Sequence, residues 1–146
     1  MNVINAWNPA QNPAQTPAAR SLLLRRSLLG NAMFSTLTGL VSLLAAAPLA
    51  KTLGIPDPTF LAVLGSQLLV FAGFLVWLAT RTAPQPGLVW TVIVLDIVWV
   101  AGSVALLPFV ADFMTDLGLV SMGLTALVVA SFAVGQTLGV KRIEPA

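Results

Sequence analysis

The sequence predicts an all-α membrane protein: an antiparallel, up-down-up-down bundle of four transmembrane helices with both termini cytoplasmic. Three observations carry that prediction. Of the 146 residues, 58% are hydrophobic and only 8% are charged, whereas globular domains hold about 25% charged and about 45–50% apolar residues. The apolar residues gather into runs near or above the ~18 needed to cross a hydrocarbon core about 30 Å thick. Short polar breaks separate the runs, and short connections make successive helices antiparallel neighbours.

The first span, about residues 27–50, opens after Arg20, Arg25 and Arg26. The break Lys51-Thr52-Leu53-Gly54-Ile55-Pro56-Asp57-Pro58 leads to the second, about 59–80, with Asp57 placed to cap it and Pro58 in its first turn. Arg81-Thr82-Ala83-Pro84-Gln85-Pro86-Gly87 precedes the third, about 88–107. Pro108 opens the last turn, which runs through Asp116, and the fourth span occupies about 117–140. The membrane domain is therefore residues 20–142, with a short tail at 143–146.

Charge sets the orientation. Arg20, Arg25, Arg26, Arg81, Lys141 and Arg142 fall on one side, while Lys51 alone joins Asp57, Asp112 and Asp116 on the other. Basic residues mark the cytoplasmic side, so both termini are expected there, in a multi-pass protein of a bacterial inner membrane or a photosynthetic membrane. Arg25-Arg26-Ser27-Leu28-Leu29 also looks like a twin-arginine export signal, with Ala45-Ala46-Ala47 as its cleavage site. Three further spans favour the plainer reading, a basic flank anchoring the first helix.

Residues 1–19 form a separate polar segment. Asn8-Pro9-Ala10-Gln11, Asn12-Pro13-Ala14-Gln15 and Thr16-Pro17-Ala18-Ala19 repeat a four-residue unit. Proline at every fourth position opposes helix and favours an extended, polyproline-like run. Trp7, Pro9, Pro13 and Pro17 make this segment a candidate tether to a partner, with Trp7 able to enter the membrane interface or a partner's groove.

Cys, His and Tyr are absent. That excludes disulfides, thiol and Ser-His-Asp chemistry, the usual zinc ligand sets and imidazole ligation of haem or chlorophyll. No catalytic residue, no metal site and no cofactor held by side-chain ligation is expected, and the chain is not read as an enzyme. Lipid or pigment can only lie against the apolar face. No Lys/Arg cluster interleaved with aromatics is present, so nucleic acid is not an expected partner.

One residue resists the apolar pattern. Asp96 stands inside Val94-Leu95-Asp96-Ile97-Val98-Trp99-Val100, and a carboxylate at mid-membrane costs about 2.5–3.5 kcal/mol on insertion scales. It must be neutralised by protonation, hydrogen-bonded, or turned toward water or a partner. Asp96, Val100 and Ser103 share one helical face. Counting inward from the span ends puts Thr38 and Gln67 near the level of Asp96, with Thr125 and Ser131 flanking it. Asp96, Thr38, Gln67 and Ser103 therefore form a candidate intramembrane polar cluster. Its plain reading is a hydrogen-bonded pin fixing helix register; its functional reading is a proton or cation site. The nearest basic residues, Arg26 and Arg81, lie about 13 Å away by helical rise.

Small residues recur at spacings near four. Gly123, Ser131, Gly135 and Gly139 mark the fourth helix, Gly65 and Gly73 the second, and Asn31, Ser35 and Gly39 the first. Such stripes let helix backbones approach closely in lipid, within this bundle or against a partner. Trp77 and Trp90 sit where an interfacial aromatic belt is expected, and Trp99 lies deeper.

Arg25-Arg26-Ser27-Leu28-Leu29-Gly30-Asn31-Ala32 with Phe34, Ser35 and Gly39, and Leu95-Asp96 with Trp99-Val100 and Gly102-Ser103, resemble blocks of a group of small bacterial four-helix membrane proteins. The resemblance spans residues 20–142 and implies the four-span layout with Asp96 as part of the pattern; it implies no activity.

The expected role is a non-catalytic accessory or structural subunit of a larger bacterial membrane complex, respiratory or photosynthetic. It would dock on other integral membrane subunits through helix faces and the N-terminal tail, with membrane lipids as its other partners. The alternative is a small transporter or a proton- or cation-conducting homo-oligomer that uses Asp96.

Overall fold

The computed structural model describes residues 17–82 and 85–143. The described chain is helical throughout, as α1 (Pro17–Leu44), α2 (Ala46–Leu53), α3 (Pro58–Thr80), α4 (Pro86–Val110) and α5 (Asp116–Lys141). Four segments, Ser21–Leu44, Pro58–Thr80, Pro86–Val110 and Asp116–Lys141, are long and apolar enough to cross a membrane. Of the expected tether, Trp7, Pro9 and Pro13 lie outside the described residues. Pro17 is the first residue of α1, a position where its missing N–H costs nothing.

The first span differs from expectation at both ends: it opens at Ser21 rather than near 27, in a helix that already begins inside the expected 1–19 tail. α1 stops at Leu44 rather than near residue 50, because Pro48 has no N–H for the Leu44 carbonyl and its ring crowds that oxygen. Ala45 leaves helical geometry (φ −117°, ψ 30°). The chain then restarts as α2, with Leu49 N–H donating to Ala45 O at 3.0 Å. α2 ends at Gly54, whose φ of 77° is left-handed and so favours glycine. A Cβ there would also lie 2.6 Å from Phe113 O.

α3 begins as expected. The Asp57 carboxylate accepts the Thr59 N–H at 2.8 Å, and Pro58 occupies the first turn. That backbone N–H holds the Asp57 carboxyl below the usual carboxylate range. The cap is therefore in force above the ordinary carboxyl value and is lost as pH falls through the lowered folded one. α4 runs past Pro108 to Val110 instead of ending at 107. In the last turn the proline forfeits only the bond to Val104 O, which does not stop the helix. Thr115 caps α5, its hydroxyl accepting from Gly118 N–H at 3.1 Å.

α1 is the central helix, packed on α3 and on α5, and α4 rests chiefly on α5. Glycine makes both α1 contacts possible. A Cβ on Gly65 would lie 2.6 Å from Gly39 O, and one on Gly39 would lie 2.9 Å from Gly65 O. On the other flank, a Cβ on Gly139 would meet Leu24 Cα at 2.8 Å, and one on Gly135 would meet Ser27 Oγ at 2.5 Å. The remaining members of the expected packing set are not at contacts. A Cβ on Gly73 or Gly123 would meet nothing within 4 Å, and Ser131 is exposed with its hydroxyl turned back to Val128 O at 2.6 Å. The cause is helical pitch: at 3.6 residues per turn, positions four apart drift by ~40° per step, so a long stripe leaves its seam.

The apolar core sits at the end of the bundle that carries Arg25 and Arg81. Leu24 and Leu28 of α1, Leu75 and Leu78 of α3, Val92 and Ile93 of α4, and Val140 of α5 meet there. Toward the opposite end α4 is largely bare, with Val98, Val104, Leu106 and Phe109 exposed. That end is tied differently. Thr115 N–H donates to Leu53 O at 3.0 Å and Thr115 Oγ to Thr52 O at 2.9 Å. Gly118 fits against the Leu53 carbonyl with no room for a Cβ.

Gly65→Ala should lower stability by about 1–3 kcal/mol, the usual cost of overpacking. Gly73→Ala should not, since its surroundings are open. Reversible unfolding of both variants in bicelles measures the difference.

Candidate functional site

Asp96 lies near the middle of α4 and is only 3% exposed. Two neutral amides from neighbouring helices converge on one of its oxygens. Asn31 of α1 donates through Nδ2 to Asp96 Oδ2 at 2.8 Å, and Gln136 of α5 donates through Nε2 to the same oxygen at 3.2 Å. One turn along α1, Ser35 Oγ donates to Asn31 Oδ1 at 3.3 Å. Asn31 and Gln136 are as buried as Asp96 itself. Gln136 Oε1, also buried, has no hydrogen-bond partner.

Each participant has a local reason to be where it is. The close approach of α1 to α5 through Gly135 and Gly139 brings the Asn31 and Gln136 faces together. Asn31 and Ser35, four apart, share one face of α1. Asp96 follows Val92 and Ile93 on the buried side of α4, so the seating of that apolar pair also turns the carboxyl inward.

The expected cluster of Asp96, Thr38, Gln67 and Ser103 is corrected in three of its four members. Thr38 is half-buried two turns beyond Asn31, and Gln67 is exposed on α3. Ser103 is buried, but two turns along α4 from Asp96. The error is one of register. A first span drawn at 27–50 centres on Thr38, whereas the helix that ends at Leu44 is centred near Asn31. The signal was present in Pro48, and in Asn31, Ser35 and Gln136 as polar residues inside apolar helices.

The second feature is a groove between the halves of α4 and α5 remote from Arg25. It encloses about 260 Å³ and is lined by Val100, Ser103, Val104, Gly123, Ala126 and Leu127, among others. It opens sideways, and Gly123 stands at it with unfilled space at its Cβ position.

At the core end, Arg25 Nη2 donates to Arg81 O at 2.7 Å. The Arg81 guanidinium lies 4.1 Å from the centre of the Trp77 ring, which stacks on Phe74 at 5.7 Å. Cation and indole thus meet where an interfacial belt was expected for Trp77. Trp90 is half-buried against the core, and Trp99 is exposed.

Chemically, the buried site is one carboxyl group, two amides and a hydroxyl. It can fix helices or hold a proton. Among the described residues, no three His, Cys, Asp or Glu side chains gather to hold a metal ion. No family model matches the chain, and no curated protein or solved structure matches it either. The stretch from Arg25 to Gly39 and the stretch from Leu95 to Ser103 meet in space at the Asn31–Asp96 hydrogen bond.

Asn31→Leu should cost about 1–3 kcal/mol of stability, since it removes a donor from a buried carboxyl group. Gln67→Leu and Ser103→Ala, away from Asp96, should stay within about 0.5 kcal/mol. Unfolding of the three variants under one set of conditions ranks them.

Proposed function

We propose that the chain is a non-catalytic accessory subunit of a larger bacterial membrane complex. In this reading it is an antiparallel bundle with both termini cytoplasmic, lying in the inner or a photosynthetic membrane. The observation that carries the reading is a contrast between two regions. The polar cluster is closed from within, its carboxyl engaged by the chain's own amides. The α4–α5 groove is open to the side and apolar, with a glycine that no neighbour uses.

Lipid supplies no hydrophobic drive for helices to associate, so partners meet where backbones can come close. Gly39, Gly65, Gly135 and Gly139 serve the bundle itself. Gly73 and Gly123 remain, and Gly123 is set in a groove wide enough for side chains of another helix. The bare half of α4 beside it, with Val98, Val104 and Leu106 outward, extends the same face. Other integral membrane subunits are the partners that fit, with lipids filling what they leave, and residues 1–19 as a second tether. A transporter or ion-conducting homo-oligomer built on Asp96 fits less well, because a proton path calls for a relay of ionisable groups and neutral amides surround this one.

The experiment is mild-detergent extraction from the native membrane followed by native mass determination. Wild type should leave as a stoichiometric complex with other subunits. Gly123→Phe, which fills the groove with the chain's own ring, should leave alone while unfolding at the wild-type temperature. A wild-type species at one or a few multiples of 15.2 kDa would sink the proposal.

A further inference from the structure

We propose that the buried cluster is a binding site for one proton. Asp96 sits in the bundle as the neutral acid, its O–H given to Gln136 Oε1 while Gln136 Nε2 donates to the other acid oxygen. The two side chains then form a closed acid–amide pair. This goes beyond the docking role and stands independently of it.

The placement of hydrogen bonds points to the pair. Both amide N–H donors, from Asn31 and Gln136, fall on Oδ2. That oxygen behaves as the carbonyl of an acid, leaving Oδ1 to carry the proton. Gln136 is completely buried, and its Oε1 has no donor. Buried amide oxygens are rarely left so. A carboxylate has no hydrogen to offer, whereas a carboxylic acid has one. The carboxyl and amide groups are both planar with two polar atoms on one edge. An amide that donates to one carboxyl oxygen through the hydrogen on the side of its own C=O can accept the acid hydrogen from the other.

The charges around the site favour the same form. α4 carries no other ionisable residue and α3 carries none. On α1 the faces toward Asp96 are Asn31 and Ser35. The nearest charges there are Arg25 and Arg26, about 8–9 Å from Asn31 by helical rise, and Arg25 is engaged with the Arg81 carbonyl. On α5 the facing group is Gln136, and the nearest charge, Lys141, is exposed about 7–8 Å further along by rise. Arg81, beyond the end of α3, lies over Trp77. Among the described residues no cation faces the carboxyl group from any of these helices, so a carboxylate here would be a buried charge with amide donors alone.

Loss of the proton leaves Gln136 Oε1 facing a negative charge, and α4 is the helix that must yield, since it leans mainly on α5. The folded protein holds a proton that the unfolded chain releases in water. Stability should therefore fall as pH rises.

The test is infrared spectroscopy of the full chain in lipid nanodiscs at neutral pH, with carboxyl-¹³C aspartate. Asp57, Asp112 and Asp116 are exposed, so a protonated aspartate band belongs to Asp96. The expected result is a carboxylic-acid C=O band that is lost in Asp96→Asn and moves to higher frequency in Gln136→Leu. Only carboxylate bands at neutral pH would overturn the proposal, and so would an acid band that ignores Gln136→Leu. Should Asp96→Asn not fold, the isotope-labelled wild type and Gln136→Leu decide the matter alone. Thermal unfolding gives a second arm: wild type should lose stability from mildly acid to alkaline pH, and a flat profile there counts against proton binding.

Discussion

Hydrocarbon solvates a leucine as well as another leucine does, so α1 can be held between α3 and α5 only where backbone nears backbone and dispersion contacts accumulate. Gly39 against Gly65 sets one flank, and Gly135 and Gly139 against Ser27 and Leu24 set the other. Once those distances are fixed, little freedom remains. Asn31 must look toward α4 and α5, Gln136 must look toward α1, and the apolar core at Leu28, Leu75 and Ile93 fills what is left. The Gly135 and Gly139 contacts are thus upstream of the polar cluster: widen that flank by a methyl group and the α1 and α5 amides are drawn apart.

The two ends of the bundle are built on different physics. Near Arg25 and Arg81, apolar side chains interlock and cations meet aromatic faces and helix-end carbonyls. At the other end, a short helix and a capping threonine are sewn together by backbone carbonyls, and α4 is left with one flank uncovered. Apolar packing is concentrated in the first region and exposed surface in the second. The buried carboxyl group stands between them, where a change at α4 is felt by both.

Much of the layout was legible in the sequence, and the failures have specific causes. Four apolar runs gave four long helices, and Asp57-Pro58 announced the start of α3 as a cap followed by a first-turn proline. Asp96 was conspicuous because nothing near it in sequence could excuse it. Its partners were not, because α1 ends at Leu44 and its middle falls near Asn31 rather than Thr38. The missing N–H of Pro48 ends α1 at Leu44 and so sets the level of every residue on that helix. Pro108 erred the other way: in a last turn it forfeits one bond and breaks nothing. The glycine stripes read as one set but divide into two, because a spacing of four drifts off any straight seam.

The distance in sequence between Asn31 and Gln136 bears on how the chain is made. A ribosome delivers α1 first, then α4 with its acid, and α5 last. Asp96 therefore enters the membrane with Asn31 already there and with Gln136 not yet synthesised. For that interval α4 has no α5 to rest on, and the Thr115 clasp to α2 does not exist. Insertion must hold an incompletely satisfied acid in the bilayer or at its insertase until the final helix arrives. The last span to be translated is thus the one that converts a set of inserted helices into a bundle.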